Sequence, residues 1–321
     1  MQQSPFPAFS VSPSSARRLT TCARAHYWAV YGSWGGWDDA LPPSGPRRSA
    51  YILKTGQSLP GLVGTLVHAF ARTAFDAKRA DIPFNAEAAA NAVRVAFMQA
   101  IENTQLRKYV VDPKTYPVVL ELFYDDDVAV ASRVQRCAAD LDDALEALQL
   151  NGHFLAVMEG RAVVARCEER EQVRLRWPDA IEGGPDDFAV WVVPDLVYRL
   201  VDDPTGWVIV DWKTGNVDAA SVDQLGMYAT WLGTVAGAES RHVAAVAVYL
   251  RHYVEKVGQG TPEARAEAVG NMQAAAVKAR ALVEDDDVET NQPKPMEAFE
   301  QLPEGSKACR YCAFRRLCGR G

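Results

Sequence analysis

A chain of 321 residues with 48% hydrophobic and 23% charged side chains has ordinary globular composition, which excludes wholesale disorder, collagen-like repeats and low-complexity structure. Its 34 Lys and Arg against 41 Asp and Glu leave a formal charge of −7, so diffuse positive charge cannot hold a polyanion and only a local basic groove could. The longest apolar run, Val243 to Leu250, is too short to span a bilayer, and Met1 to Ser15 lacks the charged-then-apolar order of an export leader. A cytoplasmic location follows as the expectation, and there the six cysteines are not expected to pair as disulfides.

Ser12, Pro13 and Ser14 open a helix expected over 12–31, followed by a Gly-, Pro- and Ser-rich surface loop over 32–49. Apolar residues recur at helical spacing over 61–79, an Ala-rich helix is expected over 85–108, and much of 116–148 reads as helix after Pro117. The pattern changes near residue 153, where 153–164, 171–177, 188–200 and 207–211 read as strands. A helix over 217–235, a strand over 243–253 and a helix over 262–283 follow. Helices before, between and after a short sheet predict an α/β protein, with a helical insertion at roughly 81–150. Three parts are expected: an N-terminal segment (1–60), a core (61–285) and a cysteine-rich tail (286–321). The acidic runs Asp125-Asp126-Asp127 and Glu284-Asp285-Asp286-Asp287 read as solvated turns and helix ends.

The sharpest local pattern is Val208-Ile209-Val210-Asp211-Trp212-Lys213-Thr214-Gly215. Strand side chains alternate, so Asp211 and Lys213 share one face while Trp212 takes the other. A buried strand ending in a carboxylate and an ammonium is costly unless these serve each other or a ligand. Upstream, Val193-Pro194-Asp195-Leu196 is joined to this strand by Asp202-Asp203-Pro204-Thr205-Gly206, a turn sequence. The resulting hairpin would bring Asp195 near Asp211. Two carboxylates beside a lysine suit Mg²⁺, which takes oxygen ligands and keeps positions open for water and phosphate, and the lysine can stabilise charge developing on phosphorus. Gly64 and His68 lie one helical turn apart, as do Gln224 and Tyr228 in the helix after Lys213. Each fragment alone is equally explained by packing or a structural ion pair.

In this order, Gly64/His68, Pro194/Asp195, Asp211/Lys213/Thr214/Gly215 and Gln224/Tyr228 resemble the PD-(D/E)XK nuclease superfamily, in particular its RecB-like branch. The resemblance covers about 61–253 outside the insertion. It implies a restriction-endonuclease-like core with a mixed central sheet flanked by helices. It implies His68, Asp195 and Asp211 as ligands of Mg²⁺ or Mn²⁺, with the Trp212 carbonyl adding one more. Lys213 is then the catalytic lysine, and Gln224 and Tyr228 shape the DNA site. The activity implied is hydrolysis of DNA phosphodiesters, by an exonuclease on single strands or DNA ends, in repair, recombination or CRISPR-type DNA processing. Two other readings stand beside it: a non-catalytic DNA-binding or assembly subunit on the nuclease scaffold, and a zinc-stapled protein acting on another phosphorylated substrate. No phosphate loop of a nucleotide-driven motor occurs in the sequence, so any unwinding is left to a separate helicase partner.

Cys309, Cys312 and Cys318 follow the spacing Cys-x₂-Cys-x₅-Cys, and Cys22 is the candidate fourth ligand. Zinc and a [4Fe–4S] cluster both accept four thiolates, and the spacing does not separate them. A distant N-terminal cysteine with this C-terminal triplet resembles the iron–sulfur staple of AddB-type nucleases and CRISPR-associated RecB-like exonucleases, which implies the cluster. Cys137 and Cys167 read as buried small hydrophobes. The aromatic stretch 26–37 is open to two readings, stacking on bases or packing around the thiols. Arg17, Arg18 and Arg24, together with Arg310, Arg315, Arg316 and Arg320, would form one basic patch if the staple joins the two ends.

Overall fold

Two mixed β-sheets share the centre of the protein and helices cover their faces. The computed structural model describes residues 6–38, 41–42, 44–124, 128–179, 184–217, 221–257 and 260–320. The acidic run 125–127 lies outside them. In chain order the elements are β1 (Ser10–Val11), α1 (Pro13–Thr21), α2 (Ala23–Tyr27), a π-helical turn (Trp28–Gly32), α3 (Pro46–Thr55), α4 (Leu59–Arg79), α5 (Ala86–Gln105), α6 (Leu120–Tyr124), α7 (Val128–Leu150) and α8 (Gly152–Met158). The sheets then come from β2 (Ala162–Arg166), β3 (Glu171–Arg176), β4 (Asp187–Val192), β5 (Leu196–Leu200), β6 (Trp207–Lys213), β7 (Val243–Tyr249) and β8 (Val254–Val257). Helix α9 (Ser221–Ala236) connects β6 to β7, while α10 (Pro262–Arg280) and α11 (Lys307–Arg310) follow the last strand.

The small sheet has the order β1-β4-β3 and the larger one β2-β5-β6-β7-β8. In the larger sheet β6 is central, antiparallel to β5 and parallel to β7, as a β–α–β crossover through α9 requires. Alternation along β6 divides the core in two. Val210 and Trp212 join Leu196, Val246 and Val248 beneath α4, α5, α7 and α8. Ile209 joins Val197, Ala245 and Ala247 on the side of α9 and α10. The mixed α/β architecture and the β5–β6 hairpin agree with the sequence reading.

Four expectations need correction. The helix over 12–31 breaks at Cys22, whose extended backbone ends α1 and starts α2. The loop over 32–49 gives way to α3, opened by Gly45 and Pro46, and its buried Arg48 donates to the carbonyls of Gly36, Val110 and Val111 at 2.9–3.0 Å. The expected strand over 153–164 is helix α8 up to Met158: Asn151 caps it, and Phe154 packs with Phe70 and Phe75. A short apolar run carries no periodicity that separates helix from strand, so the cap decides. The strand over 188–200 is two strands in different sheets, because Pro194 has no N–H to continue a ladder.

A third apolar cluster joins the chain's two ends. Ala25, Trp28, Ala50, Leu53 and Phe314 pack with Cys22, Cys312 and Cys318, and the Tyr124 hydroxyl donates to the Ala313 carbonyl. No helix among the described residues is long and apolar enough to cross a membrane.

Candidate active site

The end of β6 presents Asp211 and Lys213 toward α9. Asp211 is 1% exposed and its Oδ2 lies 2.5 Å from the Lys213 ammonium. Lys213 Nζ donates to Gln224 Oε1 at 2.8 Å. Gln224 Nε2 in turn donates to the Tyr228 hydroxyl at 2.5 Å, and that hydroxyl donates to the Val193 carbonyl at 2.7 Å. The helical spacing of Gln224 and Tyr228 thus builds a relay that fixes where the ammonium stands and ends on the residue before Pro194.

Asp195 sits where the chain passes from the small sheet into β5. Its Oδ2 accepts from the Trp212 backbone N–H at 2.7 Å. From the other side, α4 delivers His68, whose Nε2–H donates to the Trp212 carbonyl at 3.2 Å, with Nδ1 3.6 Å from Asp195 Oδ1. A Cβ at Gly64 would lie 3.2 Å from Thr214 Oγ1, so the missing side chain lets α4 draw close to the end of β6. The structure therefore gathers every residue singled out around Asp211 and Lys213 in the sequence.

One further residue enters that the sequence reading missed. Glu168 Oε1 lies 2.8 Å from His68 Nδ1. Its backbone adopts a left-handed φ of 54° just beyond β2, and its N–H donates to the Pro194 carbonyl at 3.1 Å. The only signal was an acid following a strand, hidden in the charged run Glu168-Glu169-Arg170-Glu171 and lost once the strand was placed too early.

His68, Glu168 and Asp195 offer ligand atoms that all lie within 4.8 Å of one another. The electrostatics fit a cation among them. Burial pushes the Asp195 carboxyl up to about 8, with Asp211 and Glu168 adding and His68 opposing. Burial likewise raises Asp211, against the pull of Lys213. Burial alone would lower His68, but Asp195, Glu168 and Asp211 lift it to about 10. Asp211 Oδ2 is buried, with the Lys213 ammonium beside it as counter-charge. Crowded acids that retain protons, with oxygen and imidazole donors converging, form a donor set suited to a hard divalent ion.

The thiols stand apart from this centre. Burial pushes the Cys312 thiol up, and the nearby Cys318, Cys22 and Cys309 push it further, so the four share one neighbourhood. Most of the aromatic stretch packs: Tyr27 lies 5.0 Å from Phe299 between ring centres, and Trp28 is buried beside the thiols. Several of the arginines have local partners. Arg24 Nε donates to the Phe299 carbonyl at 2.9 Å, and Arg315 and Arg316 stack on Tyr124 at 3.7 and 4.9 Å.

No curated protein matches the chain. The model of the PD-(D/E)XK nuclease superfamily matches residues 10–319, from the first strand to the residue after the last cysteine. Such nucleases use divalent metals and act on DNA, in keeping with the donor set described. By that match over nearly its whole length, the chain belongs to the PD-(D/E)XK nuclease superfamily.

Proposed function

We propose that the protein is a Mg²⁺- or Mn²⁺-dependent deoxyribonuclease of the RecB-like branch, acting on single-stranded DNA or DNA ends. The supporting observation is the convergence of His68, Glu168 and Asp195 within 4.8 Å beside the Asp211–Lys213 pair. In this reading His68, Glu168 and Asp195 would hold the ion, with Asp211 and the Trp212 carbonyl available as further oxygen ligands. Bound there, it supplies a Lewis acid and a water of lowered pKa.

The chain's own residues do the rest. Lys213 brings a positive charge to the phosphodiester, where negative charge grows as the bond breaks. Gln224 and Tyr228 keep that ammonium from swinging away, since each holds the next by a hydrogen bond. Asp211, itself buried, balances the ammonium.

We also propose that Cys22, Cys309, Cys312 and Cys318 bind a [4Fe–4S] cluster with a structural role. Zinc and the cluster both accept four thiolates; what favours the cluster is the likeness of Cys22 with the C-terminal Cys-x₂-Cys-x₅-Cys triplet to the iron–sulfur staple of RecB-like nucleases.

Cleavage of end-labelled and circular single-stranded DNA with Mg²⁺ or Mn²⁺ tests the activity, against a Lys213→Ala control. Degradation confined to molecules with ends supports an exonuclease, cutting of circles shows an endonuclease, and no metal-dependent cleavage of either removes the proposal. Protein purified without oxygen should absorb near 400 nm and carry iron and sulfide; colourless protein with stoichiometric zinc removes the cluster.

A further inference from the structure

A groove of about 680 Å³ opens beside Lys213 and Gln224 and is walled by α1 and α10. Arg17, Thr20 and Lys278 line it. Among the described residues that line it, Asp223 is the one carboxylate, and it accepts from the Asn271 amide at 2.8 Å. Through Ser14, Arg17 and Thr21 the groove adjoins a second cavity of about 360 Å³, where Arg18 and Lys54 lie near Cys22 and Cys312 and, among the described residues, no carboxylate lines the wall. A row of cations thus leads from the candidate catalytic lysine toward the thiols.

These charges are gathered against the overall balance, since the chain carries −7. They repel one another: partial burial lowers the pKa of Lys54, and the adjacent Arg18 lowers it further. Among the described residues no ion pair holds Lys278. By contrast the tail arginines are engaged by Tyr124 and Phe123, or by Glu304 for Arg320, and do not extend the row. A file of cations with little acid between them suits an evenly charged polyanion, which releases its condensed counterions on binding. Among the described residues no aromatic side chain lines the first groove, so the contacts would be to phosphates rather than to stacked bases.

We propose that this groove carries the phosphates of one DNA strand away from the catalytic centre, with Arg17, Lys278 and Lys54 as its backbone contacts. The proposal rests on the nuclease reading above and assigns that site a strand path. Arg18, beside Cys312, belongs to the thiol centre.

The test uses the full chain and two probes. Labelled oligo-dT long enough to cross both cavities, titrated with EDTA present, reads the track without the divalent metal. Hydrolysis of thymidine 5′-phosphate p-nitrophenyl ester with Mn²⁺ reads the catalytic centre without the track. The double variant Arg17→Ala/Lys278→Ala should bind oligo-dT roughly tenfold more weakly, with a salt slope shallower by about 1.4, or about 0.7 for each lost phosphate contact. Its ester hydrolysis should match wild type, and Arg17→Lys/Lys278→Arg should restore binding. Wild-type affinity and slope in the alanine variant overturn the track, as does an equal loss on both probes. A wild-type protein that binds oligo-dT through these cations yet hydrolyses neither DNA nor ester supports the track and removes the nuclease reading alone.

Discussion

The Trp212 backbone N–H donates to Asp195 Oδ2 at 2.7 Å, inside a region where Asp195 is 6% and Trp212 2% exposed. One carboxylate therefore does two jobs, closing the β5–β6 hairpin and facing His68. Asp195→Asn keeps an acceptor for the amide and removes the charge. It should remain within about 1 kcal/mol of wild-type stability while cleavage falls by roughly three orders of magnitude or more. Asp195→Ala should lose the activity and also about 1–3 kcal/mol of stability, because a buried N–H is left unpaired. Urea unfolding beside DNA cleavage checks both, and an active Asn variant would sink the assignment.

The relay behind Lys213 predicts a division between chemistry and binding. Lys213→Ala should abolish cleavage. Gln224→Ala leaves the ammonium paired with Asp211 but without the Gln224 side-chain carbonyl that orients it, and should lower kcat by roughly 10- to 100-fold with little change in KM. Steady-state rates on a short single strand distinguish this from a DNA-binding role, in which KM would rise and kcat stay.

Glu168 provides an independent check on the metal reading. Glu168→Gln preserves size and one acceptor yet removes a charge beside His68, and should weaken Mn²⁺ binding by roughly 10- to 100-fold. Titration calorimetry on the protein without DNA measures this directly. Unchanged affinity would show that Glu168 only orients His68.

His26 makes stability depend on pH. Burial, with Arg18 adding, lowers it from 6.5 to about 4, and its Nδ1 has no hydrogen-bond partner among the described residues. Between those values the unfolded chain binds a proton that the folded one does not, so stability falls as pH drops from about 6.5 to about 4 and levels off below. From pH 7.5 to 5 the loss should be about 2 kcal/mol. In His26→Phe that part of the pH dependence should disappear, as urea midpoints at the two pH values would show.

Cys22 tests the join between the chain's ends. Cys22→Ser should discharge the proposed cluster, reducing iron and the absorbance near 400 nm. By loop-closure reasoning, stability should fall by roughly 3–5 kcal/mol. If the variant keeps full iron content, Cys22 is not the fourth ligand.

The sequence made the candidate site legible because its parts obey local rules. Strand alternation put Asp211 and Lys213 together, helical spacing aligned Gln224 with Tyr228, and the Asp203–Gly206 turn closed the hairpin. Asp203 Oδ1 indeed accepts from the Thr205 and Gly206 amides. Glu168 escaped because its position depends on tertiary contacts, a left-handed residue and a bond to Pro194, that no spacing reports. Helices α3 and α8 escaped for opposite reasons: Gly45 and Pro46 look like loop residues but start a helix, and the apolar run 153–158 fits either period. Arg48, expected on a surface, is buried because three carbonyls surround it.

The passage at Pro194 has a mechanical consequence. Val193 and Pro194 connect two sheets that, among the described residues, share no ladder, and their carbonyls accept from Tyr228 and from the Glu168 N–H. The outer partner of β4 is the two-residue strand Ser10–Val11. Stripping away that short N-terminal strand would slacken the bracket from which the acid at 195 hangs, so trimming the chain's first dozen residues should blunt the enzyme without removing any group that meets its substrate.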